Sequence, residues 1–315
     1  MKKIAKKLGF AICCFAQFAF ADGPVSFDFE SEALKIPTVH IGLDQYVVEM
    51  KQRAGGFDFS VTSAELISKL EFSDGGNLVG TKTLTELADL LPVKEMEVYD
   101  PTENRNKTFR GFTTNDVLDL VYGESWRDGE EIAVAALDGY VSSNSIEHYL
   151  MYNSMLAFED VNRPQFILIK AKDGKYIELG PFFLVWDNIN SPELLDFVSY
   201  GWPWQSISFD LLTFEDRFGK AIPPEGSSEQ VQRGFKSTRK FCLACHTMNG
   251  DGGWLSGTDL FGTADKFDDA TIKRYITEFG AVGPDVSGMI LRDEIPNRDQ
   301  VADDIIAYLN AMAKD

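Results

Sequence analysis

The chain has 315 residues, a formal net charge of -19 and a sequence pI of about 4.6. That balance leaves no basic stripe to follow a nucleic-acid backbone, and it works against attraction to anionic membrane surfaces. It suits a partner with a basic docking face, or it is simply a solvated surface with no docking role.

The N-terminus begins with lysines at positions 2, 3, 6 and 7, and an apolar run from Leu8 to Phe20 ends in Ala19-Phe20-Ala21. This is the three-part layout of a secretory signal cleaved after about Ala21, and the run is short for a bilayer span. The competing reading is an anchor retained by the mature protein. Cleavage removes Cys13 and Cys14, so Cys242 and Cys245 remain and no disulfide framework is possible beyond that pair. The expected location is the periplasm, with no transmembrane segment in the mature chain.

Residues 22–34 show little periodicity. Helix-like segments follow around residues 64–67 and 84–88, and residues 96–99 alternate like a strand. Residues 100–107 read as a solvated polar turn, and residues 115–121 as a helix that Thr113 or Thr114 can cap. Strand signals then dominate. They cover residues 131–136 before an Asp138-Gly139 turn, 166–169 before Asp173-Gly174, 176–179, 182–185 after Gly180-Pro181, and 205–213. The expectation is an α+β, mainly β domain over residues 22–215, without a wound parallel sheet.

Residues 216–228 contain Gly219, Pro223-Pro224, Gly226 and Ser227-Ser228, and read as a linker that permits motion. Periodicity is helical from there on, over residues 229–241, 269–279 and 298–312. An all-α domain is expected over residues 229–315.

The strongest signal is Cys242-Leu243-Ala244-Cys245-His246. Two thiols on one turn can each form a thioether to a porphyrin, with the adjacent histidine held beneath the iron. A thioredoxin-like dithiol uses the same spacing, but it would follow a strand in a βαβ context rather than a helical segment.

Residues 228 to 315 resemble the class I c-type cytochromes. The resemblance rests on the motif, on Gly234 about two helical turns ahead of it, and on Ile306-Ala307-Tyr308-Leu309 in the last helix. It implies one covalently bound haem c, with His246 and Met289 as axial iron ligands. It also implies a carbonyl at Thr258, where the family has proline, accepting from the second ring nitrogen of His246. Ile290 follows Met289 where the family has proline. The loop from Thr247 to Leu260 is glycine-rich and suits close wrapping of the haem edge.

Residues 96–214 are similar, more distantly, to the molybdopterin-binding fold of the sulfite oxidase family. The similarity lies in residues 109–112 and 116–118, Asp138-Gly139-Tyr140, Gly180-Pro181 and Trp202-Pro203-Trp204. The family's molybdenum-ligating cysteine has no counterpart, so the domain is expected to be cofactor-free. Arg105, Lys107 and Arg110 are the nearest candidates for a pterin phosphate, or belong to the solvated turn. His40 and His148 could share a metal with Asp138, Glu147 or Asp187, although no spacing fixes such a site. Trp186, Trp202 and Trp204 form either a contact patch or core. Glu130-Glu131 and the acids around Asp268 read as solvated faces.

The function expected from these features is single-electron transfer between redox partners by an exported monohaem cytochrome, the first domain serving docking or scaffolding. The alternative is the haem-containing subunit of a periplasmic oxidoreductase, sulfite-oxidase-like or another metal-dependent dehydrogenase. Its substrate or metal site would lie in the first domain or in a partner. No residue is assigned a catalytic role, and the enzyme question stays open.

Overall fold

The computed structural model describes residues 34–41, 44–53, 56–63, 69–101, 103–163, 166–169, 176–197, 201–253, 255–256, 258–278, 291 and 295–313. The expected signal at residues 1–21, the helix-like segment at 64–67 and Met289 lie outside the described residues. Three strands come first, β1 (Leu34–Ile41), β2 (Asp44–Arg53) and β3 (Gly56–Ser63), paired antiparallel in that order. The elements expected above include none of them, although Phe57, Phe59 and Val61 alternate with polar residues along β3.

After β4 (Lys69–Asp74) and β5 (Asn77–Thr83), helix α1 (Leu84–Leu90) starts at a capping box. The Glu86 amide donates to Thr83 Oγ1 at 3.2 Å, and the Thr83 amide donates to the Glu86 carboxylate at 2.8 Å. Next come β6 (Lys94–Asp100), β7 (Arg105–Thr113), α2 (Thr114–Tyr122), β8 (Glu131–Ala136), β9 (Val141–Ser145) and α3 (Ile146–Met151). They are followed by β10 (Ser154–Asp160), β11 (Ile167–Ile169), β12 (Tyr176–Glu178), β13 (Phe183–Trp186) and β14 (Ser206–Leu212).

One sheet runs β13-β10-β7-β6, a second runs β5-β4-β14-β8-β9, and β11 pairs with β12. Pairing is antiparallel except where β14 lies parallel to β4. A single apolar cluster joins both larger sheets, from Phe72, Val134 and Phe209 on one to Phe109, Leu156 and Leu184 on the other. Trp186 and Trp202 belong to this core, and Trp204 packs against it. The contact-patch reading of the tryptophans is therefore replaced by core packing.

The turn expected over residues 100–107 is not a solvated one. Its second half is the start of β7, and Lys107 is only 1% exposed. The Lys107 ammonium lies 3.1 Å from the Glu103 carboxylate, 3.5 Å from Asp100 and 3.7 Å from Asp160. Arg105 and Arg163 pair with the same Glu103, and Arg110 pairs with Glu95 and Glu159. These cations are committed to carboxylates, some within the turn itself (Asp100, Glu103) and some brought in by β10 (Glu159, Asp160). Glu131 is likewise buried rather than solvated, bonded to Arg239 at 2.5 Å.

The C-terminal part is built on α4 (Phe214–Phe218), α5 (Glu229–Phe241), α6 (Asp269–Thr277) and α7 (Arg298–Ala311). It is not wholly helical, because β15 (Thr247–Met248) and β16 (Asp251–Gly252) form a short antiparallel ladder. Its core is a second cluster that includes Phe218, Phe235, Leu243, Ile305 and Tyr308. α5 crosses α7 at Gly234, where a Cβ would overlap the Asp304 carbonyl, so only glycine allows the approach. The first part of the expected linker is packed: Phe218 and Ala221 are buried, and Tyr308 donates to the Ala221 carbonyl at 2.5 Å. Among the described residues no helix is long and apolar enough to cross a membrane.

Candidate functional site

Ser228 caps α5 by accepting from the Val231 amide at 3.3 Å, and the helix buries Gly234, Phe235 and Thr238. The chain then tightens. The Cys245 and His246 amides both donate to the Cys242 carbonyl, at 3.1 and 2.9 Å. Two thiols and an imidazole thus occupy one turn at the end of a packed helix. Both cysteines are free.

Burial, reinforced by the neighbouring Cys245, pushes the Cys242 thiol up to about 12. Burial, reinforced by Asp138, pushes Cys245 up to about 11. A disulfide-exchange pair needs a depressed pKa that supplies thiolate at neutral pH. These protonated thiols are the opposite, which counts against the thioredoxin-like alternative. Among the described residues no three His, Cys, Asp or Glu side chains converge as a direct metal site. The motif is therefore not arranged as a zinc-type thiolate–imidazole cluster.

His246 is 7% exposed, and burial lowers its pKa against the opposing pull of the Thr258 carbonyl. Its Nδ1 lies 3.1 Å from the Thr258 carbonyl oxygen and 2.9 Å from Ser256 Oγ. A carbonyl only accepts, so the proton belongs on Nδ1, and Nε2 keeps its lone pair for a metal. The contact to Ser256 is a second acceptor that the spacing of the motif did not suggest.

The following loop is fixed by its own backbone. The Gly253 amide donates to the Leu243 carbonyl at 2.8 Å, and the Ser256 amide donates to the Cys245 carbonyl at 2.9 Å. A Cβ on Gly252 would overlap the His246 carbonyl, and one on Gly253 the Ala244 carbonyl. Asp259 accepts from the amides of Asn249, Gly250 and Phe261 at 2.8 to 2.9 Å. Against the upward push of burial, these bonds hold its carboxyl below the usual range.

Met248 is fully buried in the second core, and Met312 is 8% exposed at the end of α7, so both serve as packing. His40 stands on β1, with its side chain outside the described residues. His148 stands on α3, its ring 4.5 Å from Trp186 and 4.8 Å from Tyr152, and it is not grouped with Asp138 or Asp187. No protein-family model matches the chain, and no curated protein matches it.

Proposed function

We propose that the chain is an exported electron-transfer protein whose C-terminal part carries one covalently attached haem c. The observation that supports it best is the placing of two free thiols and an imidazole on one turn, with the imidazole's Nδ1 held 3.1 Å from the Thr258 carbonyl. This donor set fits the group. Cys242 and Cys245 would tether it, and His246 Nε2 and Met289 would be ligands to its iron. Bound there, the iron supplies a one-electron couple whose potential depends on the axial ligands and on burial.

The protein's own contribution is to hold the imidazole. The Thr258 carbonyl and Ser256 Oγ fix the ring plane and the tautomer, and partial negative charge at Nδ1–H raises the basicity of Nε2. The packed α5–α7 crossing keeps the turn that bears the motif dry. The β-rich part serves as the docking or scaffolding unit and supplies no redox group of its own.

The deciding experiment is expression in a host competent for cytochrome c maturation, followed by intact mass and a pyridine haemochrome spectrum. One haem per chain that survives denaturation, with a far-red methionine-to-iron band, is the expected result. Thiols that remain fully alkylatable in that host would remove the reading. A bound haem without the methionine band would leave the tether standing and remove Met289.

A further inference from the structure

Beside the motif, and distinct from its donor set, lies a cavity of about 210 Å³ between α5, β9 and α4. Lys236, Arg239 and Lys240 line it from α5, at spacings that share one helical face, and Arg217 lines it from α4. Four cations therefore gather at one point of a chain whose net charge is -19. Of the carboxylates, Glu131 answers Arg239 at 2.5 Å. The hydroxyl of Ser142 and the amide of Asn144 add neutral hydrogen-bonding groups to the lining.

Arg217 is the informative member. It is 8% exposed, and its hydrogen bonds go to carbonyls: Nη1 donates to Gly252 at 3.0 Å and Nη2 to Val141 at 3.3 Å. Its Nε has no acceptor among the described residues. Burial draws this guanidinium down to about 10 despite the charges of Glu131 and Asp251. A buried guanidinium held by carbonyls, with a donor to spare, carries a desolvation cost that an anion in the cavity would offset.

We propose that this cavity is a binding site for a small inorganic oxyanion, anchored by Arg217, with Lys236 at its rim. The volume lies below that of ordinary pockets for drug-sized ligands, which argues against a nucleotide or a pterin. The site also touches the motif's loop. The Gly252 carbonyl that Arg217 holds belongs to the glycine packed on the His246 carbonyl, so an occupied cavity braces that loop.

The test is calorimetric titration of the full-chain holoprotein with inorganic sulfate and with inorganic phosphate, at an ionic strength matched with chloride. A single saturable site is expected. The Lys236→Gln/Lys240→Gln pair should weaken binding about ten-fold or more without lowering the thermal midpoint in chloride, and Arg217→Lys should weaken it further. Arg217→Lys also disturbs two carbonyl bonds, so the exposed-side lysine pair decides if that variant does not fold. Heat that never saturates, or wild-type affinity in the lysine pair, overturns the proposal. The readout is binding heat, so it stands apart from whether the haem assignment holds.

Discussion

The two parts of the molecule bury charge in different ways. In the β-rich part, Lys107 is sealed from solvent but surrounded by Asp100, Glu103 and Asp160, so its burial is compensated within the fold. In the helical part, Arg217 is nearly as deep, but its hydrogen bonds go to carbonyl oxygens and Glu131 and Asp251 act on it through space, while two half-buried thiols and a buried imidazole share one turn. Both parts have an apolar core, and both bury polar atoms with no hydrogen-bond partner among the described residues: Tyr149 Oη and Ser154 Oγ in the first, Arg217 Nε and Thr238 Oγ1 in the second. The second also gathers thiols, an imidazole and a guanidinium around one turn and the cavity beside it. Such a gathering of titratable groups in one place marks a site, where scattered orphan atoms do not.

The largest test of this contrast removes the tether. Under the proposed function, Cys242→Ser with Cys245→Ser abolishes covalent haem entirely. Hydrogen exchange should then rise across residues 229–313 while residues 69–212 keep their protection. The helical core is small, and much of the chain around the motif is loop, so it leans on the group it holds. Equal protection in both parts, with haem absent, would mean that the helical core is self-sufficient and the contrast is wrong.

The next effect strikes the other part. Lys107→Met deletes the cation and leaves the carboxylates buried, which should destabilise the β-rich core by about 3–5 kcal/mol. Burial already raises the Asp160 pKa against the pull of Lys107, and the variant should raise it further. A raised carboxylate pKa costs stability above that pKa, so the deficit should shrink as the solution is made acidic. Urea denaturation at two pH values checks both size and sign, and a loss under 1 kcal/mol would put the cluster in the class of surface pairs.

How much of this was legible in the sequence follows the same physics. Helix α5 matches its expected span of residues 229–241, because a serine cap and a one-faced apolar pattern are local signals. The motif is legible because its chemistry lies within five consecutive residues. Strand β10 was not, since residues 154–158 are buried on both faces and a short unbroken apolar run has no diagnostic period. The start of β7 and Glu131 differ from their solvated reading because charge does not imply exposure: β10 covers the local Lys107–Glu103–Asp100 cluster with Asp160, and Arg239 reaches Glu131 from α5. The cavity was invisible because Arg217, Ser142 and Lys240 become neighbours only when α4, β9 and α5 are packed.

A smaller effect tests the helix crossing. Gly234→Ala places a methyl group against the Asp304 carbonyl and the Tyr308 Cβ, and neither can retreat without moving α7. Overpacking of this kind costs about 1–3 kcal/mol. The loss should appear in the helical part alone, read as a lower thermal midpoint with unchanged exchange protection on β7 and β10. A neutral substitution would mean that α5 and α7 slide apart freely and do not position the motif.

The smallest effect concerns His148, which stands where the two parts meet. Burial, and after it the charge of Lys240, pulls its pKa from 6.5 to about 4. The ring is therefore neutral in the folded chain, packed on Trp186. Above pH 6.5 the ring is uncharged whether folded or unfolded, and its contribution is fully present. As the pH falls from 6.5 towards 4, the unfolded chain takes up a proton that the folded chain refuses, so stability is lost across that window. At about 1.4 kcal/mol per pH unit, discounted for a ring that is only partly desolvated, the loss comes to about 1–2 kcal/mol. His148→Gln should remove this slope, so the stability difference between wild type and variant should narrow by that amount between the two pH values. A difference that stays level would mean that the imidazole titrates like a solvated one. The join between the sheets and α5 would then open to water more readily than the packing of His148 on Trp186 implies.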